Sequence, residues 1–395
     1  MVKKIFIFFI LWKILIFMLS INASYLFPDA SYFQAKNIYS NRYHPLIWRY
    51  ANIDGVSYIR IARNGYSEET IPYFPLYPLT IQFVANTFFH HRFFTPISQV
   101  ISNFAFLGSL FIFAKLLQLD KQKKLFSTLL IILFTFPTSF FLGASYNDSL
   151  FLLFATLCIY GMRKNNLIMA SCFGALATLT RLNGLALFVM ILAEHFAKTN
   201  NFLYLSQLLN KKTNIFTMAK KAFSLKLVFK QKMYVTLAIP AAFLAFLTFI
   251  QFKFGHWYLL FSTMKIWGQD RIILLPQVFW RYFKIIILYP TFKINYWVAV
   301  IEIFFVFFYI AILIYSVKKI RFSYWIFLFI SFLIPSLTGT FQGMPRYALH
   351  LYPFFLAVAI LLSESKKNIR IIYLTVLVYL LFVLLLLYVN GYFVA

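Results

Sequence analysis

Only 10 acidic residues stand among the 395 of this chain, so each is a candidate for a specific task. Asp54 heads the stretch IDGVSYIRIARNGY (53–66), an arginine-bearing polar segment in otherwise apolar surroundings. A carboxylate there can accept a proton from a reacting group, or it can cap its own helix by bonding the amides of Val56 or Ser57. The residues alone leave both uses open. Tyr58, four positions on, shares the face of Asp54. Asp148 closes the turn SYND (145–148) beside Tyr146, placed to pair with a cation or to cap the helix that follows. Arg181 and Asn183 interrupt a long apolar run at RLNG (181–184). Arg346 follows Pro345, and His350 lies one turn later. An arginine's planar fork suits phosphate oxygens, while the bland alternative is snorkelling to lipid headgroups. For His350 that alternative is a satisfied interfacial ring. No metal-ligand spacing appears: His90 and His91 are adjacent, and Cys158 and Cys172 lie in separate apolar runs that offer no disulfide framework.

The elements that must position these residues follow from composition. With 62% hydrophobic, 22% aromatic and 12% charged residues, the chain is excluded from the soluble globular class. Long apolar runs without strand alternation predict an all-α polytopic membrane protein, because backbone polar groups in lipid must be satisfied within a helix. The net charge of +27 does not indicate a nucleic-acid partner, since the lysines cluster between apolar runs. Under the positive-inside rule those clusters mark the cytoplasmic side. The run from Ile5 to Ser20 is then a retained first span with a cytoplasmic N-terminus, and the C-terminus is outside. Further spans are expected at 97–118, 125–143, 147–162, 234–252, 297–316, 323–340, 347–362 and 371–389, with 167–197 as two half-helices meeting at Arg181. The stretch 74–89, headed by Phe74, Pro75 and Tyr77, is expected to be re-entrant. That makes roughly eleven crossings in one transmembrane domain, 1–395. A basic cytoplasmic loop, 194–233, faces outer segments at 28–73, 253–296 and 339–347. Asp29, Asp54, Glu68, Glu69, Asp148 and Asp270 fall outside, Asp120, Glu194 and Glu364 at cytoplasmic edges, and Glu302 alone within a span, near its outer end. A proton-coupled transporter would instead keep ionisable groups near the midplane.

Five segments in order, IDGVSYIRIARNGY, YFPLYPL, SYNDSLFLLF, GALATLTRLNGLAL and MPRYALHLYPFF, resemble the bacterial branch of the GPI mannosyltransferase 2 (PIG-V type) family. That family belongs to the C-type (GT-C) membrane glycosyltransferases, and the resemblance spans about residues 50 to 360. It departs at Ile53, where the family usually has Trp, and at Asp148, where it more often has Glu. The resemblance implies a GT-C fold and transfer of a sugar, mannose above all, from a polyprenyl-phosphate-linked donor to an extracytoplasmic glycolipid, glycan or protein, with inversion and without a cofactor. It implies Asp54 as catalytic base. Tyr58, Tyr77, Tyr146, Asp148, Arg181, Asn183, Arg346 and His350 are implied as substrate-binding residues, the two arginines gripping the lipid phosphate. The implied setting is a bacterial plasma membrane with the site facing out. Two rivals are a transporter of lipid-linked glycans or small solutes, and a non-catalytic assembly factor.

Overall fold

The computed structural model describes residues 1–394 apart from 32, 212, 213, 270 and 292, and contains helices and turns with no strand among the described residues. Asp270 therefore lies outside the described residues. Apolar length dictates most of the architecture. The first helix, α1 (Val2–Ile21), is followed by a segment of short turns that ends in α2 (Asp54–Asn64). Helix α2 packs on α3 (Leu76–Phe88), and both dock on α4 (Phe94–Leu119) through a satellite core of Val56, Ile59, Ile81 and Ile97. Thirteen residues of α3 rise about 20 Å, short of the ~30 Å hydrocarbon layer, and Pro75 stands at its head.

Beyond α4 the helices alternate between long and interrupted. Helix α5 (Phe126–Thr135) ends just before Pro137, and α6 (Asp148–Arg163) begins after a tight turn. Helices α7 (Leu167–Thr178) and α8 (Leu185–Thr199) are separated by the Arg181 break; they are not two half-helices as expected, since the stretch Leu182–Thr199 is long and apolar enough to cross by itself, and α9 (Ala238–Phe254) packs against α7. Helix α10 (Leu275–Leu288) is followed by α11 (Ile294–Ser316) and α12 (Phe322–Ser336). The short α13 (Met344–Leu349), then α14 (Tyr352–Glu364) and α15 (Lys367–Val389), complete the fold. Helix α6 packs between α4 and α7, α12 against α8, and α1 against α5 and α15. One large core, rich in interlocked phenyl rings such as Phe136 against Phe355 (5.4 Å) and Phe140 against Phe141 (4.6 Å), joins them. In lipid such packing, rather than apolar burial, holds helices together.

The chain is thus a multi-pass, all-helical membrane protein, but the expectation of roughly eleven crossings is corrected. Among the described residues six helical stretches are long and apolar enough to cross: Val2–Ile21, Phe94–Leu119, Leu182–Thr199, Met233–Phe254, Tyr296–Ser316 and Lys367–Val389. The runs expected at 125–143, 323–340 and 347–362 break instead, and the one expected at 147–162 is a 16-residue helix, Asp148–Arg163, that is not among the six. Pro137 stops α5. Helix α12 ends at Ser336, just after Pro335 and before Gly339. The chain turns at His350–Leu351 ahead of Pro353. Proline lacks the N–H that a continuing helix needs, so the apolar run goes on while the helix does not.

Candidate functional site

Four of these interruptions meet at one end of the bundle. Ile53, just before α2, has φ 55° and ψ −117°, a left-handed conformation that a β-branched side chain resists. Tyr146 holds this strained turn by donating its hydroxyl to the Asn52 carbonyl (2.8 Å), and the Ser145 amide donates to the Tyr50 carbonyl (2.9 Å). Helix α2 then starts with Asp54 as its first residue, and Asp54 makes no capping bond. Its carboxylate turns away from its own amides, receiving Arg346 Nη1 at 2.7 Å and the Tyr73 hydroxyl at 3.3 Å. The capping role open at the sequence level is therefore not the one the structure adopts. Burial, reinforced by Asp54, raises the Tyr73 phenol well above its usual range, so it remains a donor.

Asp148 is the hub. It is the first residue of α6, where a negative charge complements the helix dipole, and it too makes no cap bond. Arg346 donates from Nε and Nη2 to its two oxygens at 3.0 Å each, and Arg181 Nη1 reaches Oδ1 at 3.0 Å. His350 Nε2 bonds the same oxygen. A carboxylate only accepts, so Nε2 carries the hydrogen, and Nδ1 is left buried without a partner among the described residues. Arg346 lies over the rings of Tyr146 (4.5 Å) and Phe141 (5.0 Å), whose faces favour a cation. One guanidinium thus links Asp54 to Asp148 across three elements.

Two local devices place the arginines. Gly184 closes the Arg181 break: a Cβ there would lie 2.4 Å from the Thr178 backbone, so only glycine fits. Gly343 (φ 76°) starts α13, and its amide donates to Glu302 Oε1 at 3.2 Å. Glu302, buried in α11, also accepts the Tyr282 hydroxyl at 2.6 Å, while that hydroxyl receives the Phe341 amide at 3.1 Å. The turn that launches Arg346 is fastened from within the bundle.

A cavity of about 200 Å³ opens beside this centre, lined by Asp54, Tyr58, Arg181, Asn183 and Arg346. The Asp54 side chain keeps 24% of its exposure, Arg181 13% and Arg346 8%, whereas Asp148 has none. Arg181 spends only Nη1 on the protein and lies over the Tyr347 ring at 5.3 Å. Among the described residues its Nε and Nη2 have no hydrogen-bond partner. Asn183 lines the same cavity, and its buried Nδ2 also lacks one. Tyr146, Asp148 and His350 stand behind the wall as supports. Tyr77 does not join them: it is fully buried with its hydroxyl donated to Ser98 O at 2.9 Å and shared with Ser102, a helix fastening away from the cavity.

Sequence reasoning had not singled out Tyr73 or Asn147, although both fall within quoted segments. Asn147 accepts from Arg181 at 3.2 Å and donates to the Thr180 carbonyl at 2.6 Å. Trp267 and Gln269, which also line the cavity, carried no local signal. No metal-holding group of His, Cys, Asp and Glu exists among the described residues. Set beside known protein families, curated proteins and solved structures, the chain has no match.

Proposed function

We propose that the protein is a membrane glycosyltransferase of the GT-C kind, taking a sugar, mannose by the resemblance of its motifs, from a polyprenyl-phosphate-linked donor to an extracytoplasmic acceptor. The observation that carries this is the accessible Asp54 carboxylate on a strained turn, facing the unpaired edges of Arg181 and the unpartnered amide of Asn183 across one small cavity. The basic loops at the opposite end support an outward orientation of the cavity. In the transfer, the acceptor oxygen attacks the sugar C1 as its proton passes to Asp54. The C1–O bond to phosphate breaks, and polyprenyl phosphate leaves with the electron pair. Arg181, with its open N–H groups, is the residue for that departing charge. Arg346 is mostly committed to carboxylates, so its task is to orient Asp54 rather than to clamp phosphate. The cavity suits a single ring or a phosphate, and the hydrocarbon tail stays in lipid.

Reconstituted protein incubated with labelled polyprenyl-phosphate-mannose and a panel of glycolipid, glycan and peptide acceptors tests the proposal. Donor-dependent transfer to an acceptor supports it. Movement of intact label across the bilayer without transfer would point to the transporter instead.

A further inference from the structure

Away from this centre, Lys13 stands in the middle of α1, a helix whose other side chains are almost all apolar. A lysine that merely snorkels runs out along its helix toward the headgroups. This one turns inward. A Cβ added at Gly143 would lie 2.7 Å from Lys13 Nζ and 3.4 Å from Asn103 Oδ1, which puts both atoms at the same spot on the 139–143 turn. The ammonium lies 5.0 Å from the Trp12 ring centroid and 6.0 Å from that of Phe9. Among the described residues it has no hydrogen bond and no ion pair, and Asn103 Oδ1 is buried without a donor. A cavity of about 350 Å³ borders both residues and reaches Leu46 in the first outer segment. Its lining includes Ile14 and Phe17, which are about half exposed on the outer surface of α1.

These groups specify an occupant. A cation inside a span, with no carboxylate paired to it, requires an anion. The anion's neighbours are apolar and open to the bilayer, so it arrives attached to hydrocarbon. The orphaned amide oxygen adds a demand for a donor, such as a hydroxyl close to the anion. We propose that this cavity binds an anionic, hydroxyl-bearing phospholipid of the outer leaflet, of the phosphatidylglycerol type. Its phosphate meets Lys13, its headgroup hydroxyl donates to Asn103 Oδ1, and an acyl chain lies along Ile14 and Phe17. This site is independent of the sugar-transfer reading, since none of its lining residues borders the Asp54 cavity.

The full chain, purified in detergent and stripped of lipid, is titrated with phosphatidylglycerol, phosphatidylcholine or inorganic phosphate while bound lipid is read by native mass spectrometry and stability by thermal unfolding. Phosphatidylglycerol is expected to bind and raise the melting temperature, with phosphatidylcholine and inorganic phosphate ineffective. Lys13→Met should weaken phosphatidylglycerol binding on the order of tenfold, and Lys13→Arg should keep it. Should Lys13→Met prove poorly folded, retention of phosphatidylglycerol against phosphatidylcholine by the parent protein decides. Equal retention of the two lipids, an equal response to inorganic phosphate, or undiminished binding by Lys13→Met overturns the site.

Discussion

Two ionic clusters occupy opposite ends of this bundle, and α6 runs between them with Asp148 at its head and Arg163 at its tail. At the far end Arg321 and Ser323 donate to Glu194 at 2.7 Å each, Tyr352 donates to Asp120 at 2.9 Å, and Arg163 lies 3.1 Å from Asp120. Both clusters are buried ion pairs drawn from distant parts of the chain, and cavities border both. They differ in the backbone that carries them. Asp120 caps α4, Arg163 ends α6, Glu194 sits within α8 and Arg321 caps α12, all at or inside regular helices. The Asp148 cluster instead assembles where helices are broken: at the left-handed Ile53, the turn before α6, the Arg181 gap and the Gly343 turn. Irregular backbone within a membrane bundle is tolerated only where it is buried in protein or lines a cavity, and strain gathers where function needs it. A buried charge cluster is common to both ends; what sets the Asp148 end apart is that the fold gives up regular helix there.

Substitutions can break or sharpen that contrast. Asp148→Asn should have the largest effect, since it leaves two buried arginines short of a counter-charge. We expect a loss of about 3–5 kcal/mol, read by thermal unfolding in detergent, together with loss of transfer. An Asp148→Asn protein as stable as its parent would remove Asp148 as the hub. Asp120→Asn should cost less, about 1–3 kcal/mol, because its tyrosine partners still find an amide oxygen and Arg163 keeps Glu194 at 4.0 Å as a counter-charge. Its turnover per folded molecule should match the parent, and a selective loss of turnover would erase the distinction between the clusters. Arg181→Lys keeps the charge and loses the fork. Turnover should fall on the order of tenfold with the melting temperature nearly unchanged. If the lysine protein works as well as the parent, Arg181 is a fastening and not a phosphate contact. The smallest effect is expected at Glu302→Gln: the side chain can still accept from Tyr282, but its amide nitrogen cannot accept from Gly343. A loss of about 1 kcal/mol and a slight fall in turnover, measured on the same preparations, would mark a residue that positions the Arg346 turn.

The turns of the candidate site were legible in the chain because each interrupts an apolar run with Gly, Pro or a charge, and such punctuation is local. The pairing was not. Arg346 meets Asp148 and Asp54 across separations of 198 and 292 residues, and nothing near any of the three says which carboxylate is buried as a hub and which faces the cavity. For the same reason the sequence offers Arg346 as a phosphate clamp, whereas its donors go to the carboxylates of Asp148 and Asp54. Tyr77, which only the resemblance implied as substrate-binding, has its hydroxyl in a helix contact with Ser98 and Ser102. The number of spans was overcounted because apolar length continues across Pro137 and Pro353 while the hydrogen-bond ladder stops there.

The central claim is that Asp54 does chemistry and does not simply hold Arg346, and it is tested most directly by the turnover of Asp54→Asn at saturating labelled donor. Asparagine keeps the size and an oxygen for Arg346 Nη1 but removes the proton-accepting charge. We predict a melting temperature close to the parent's and a transfer rate lower by roughly 10²–10⁴-fold, the usual worth of a positioned general base. A folded Asp54→Asn protein that transfers sugar at the parental rate would contradict the account.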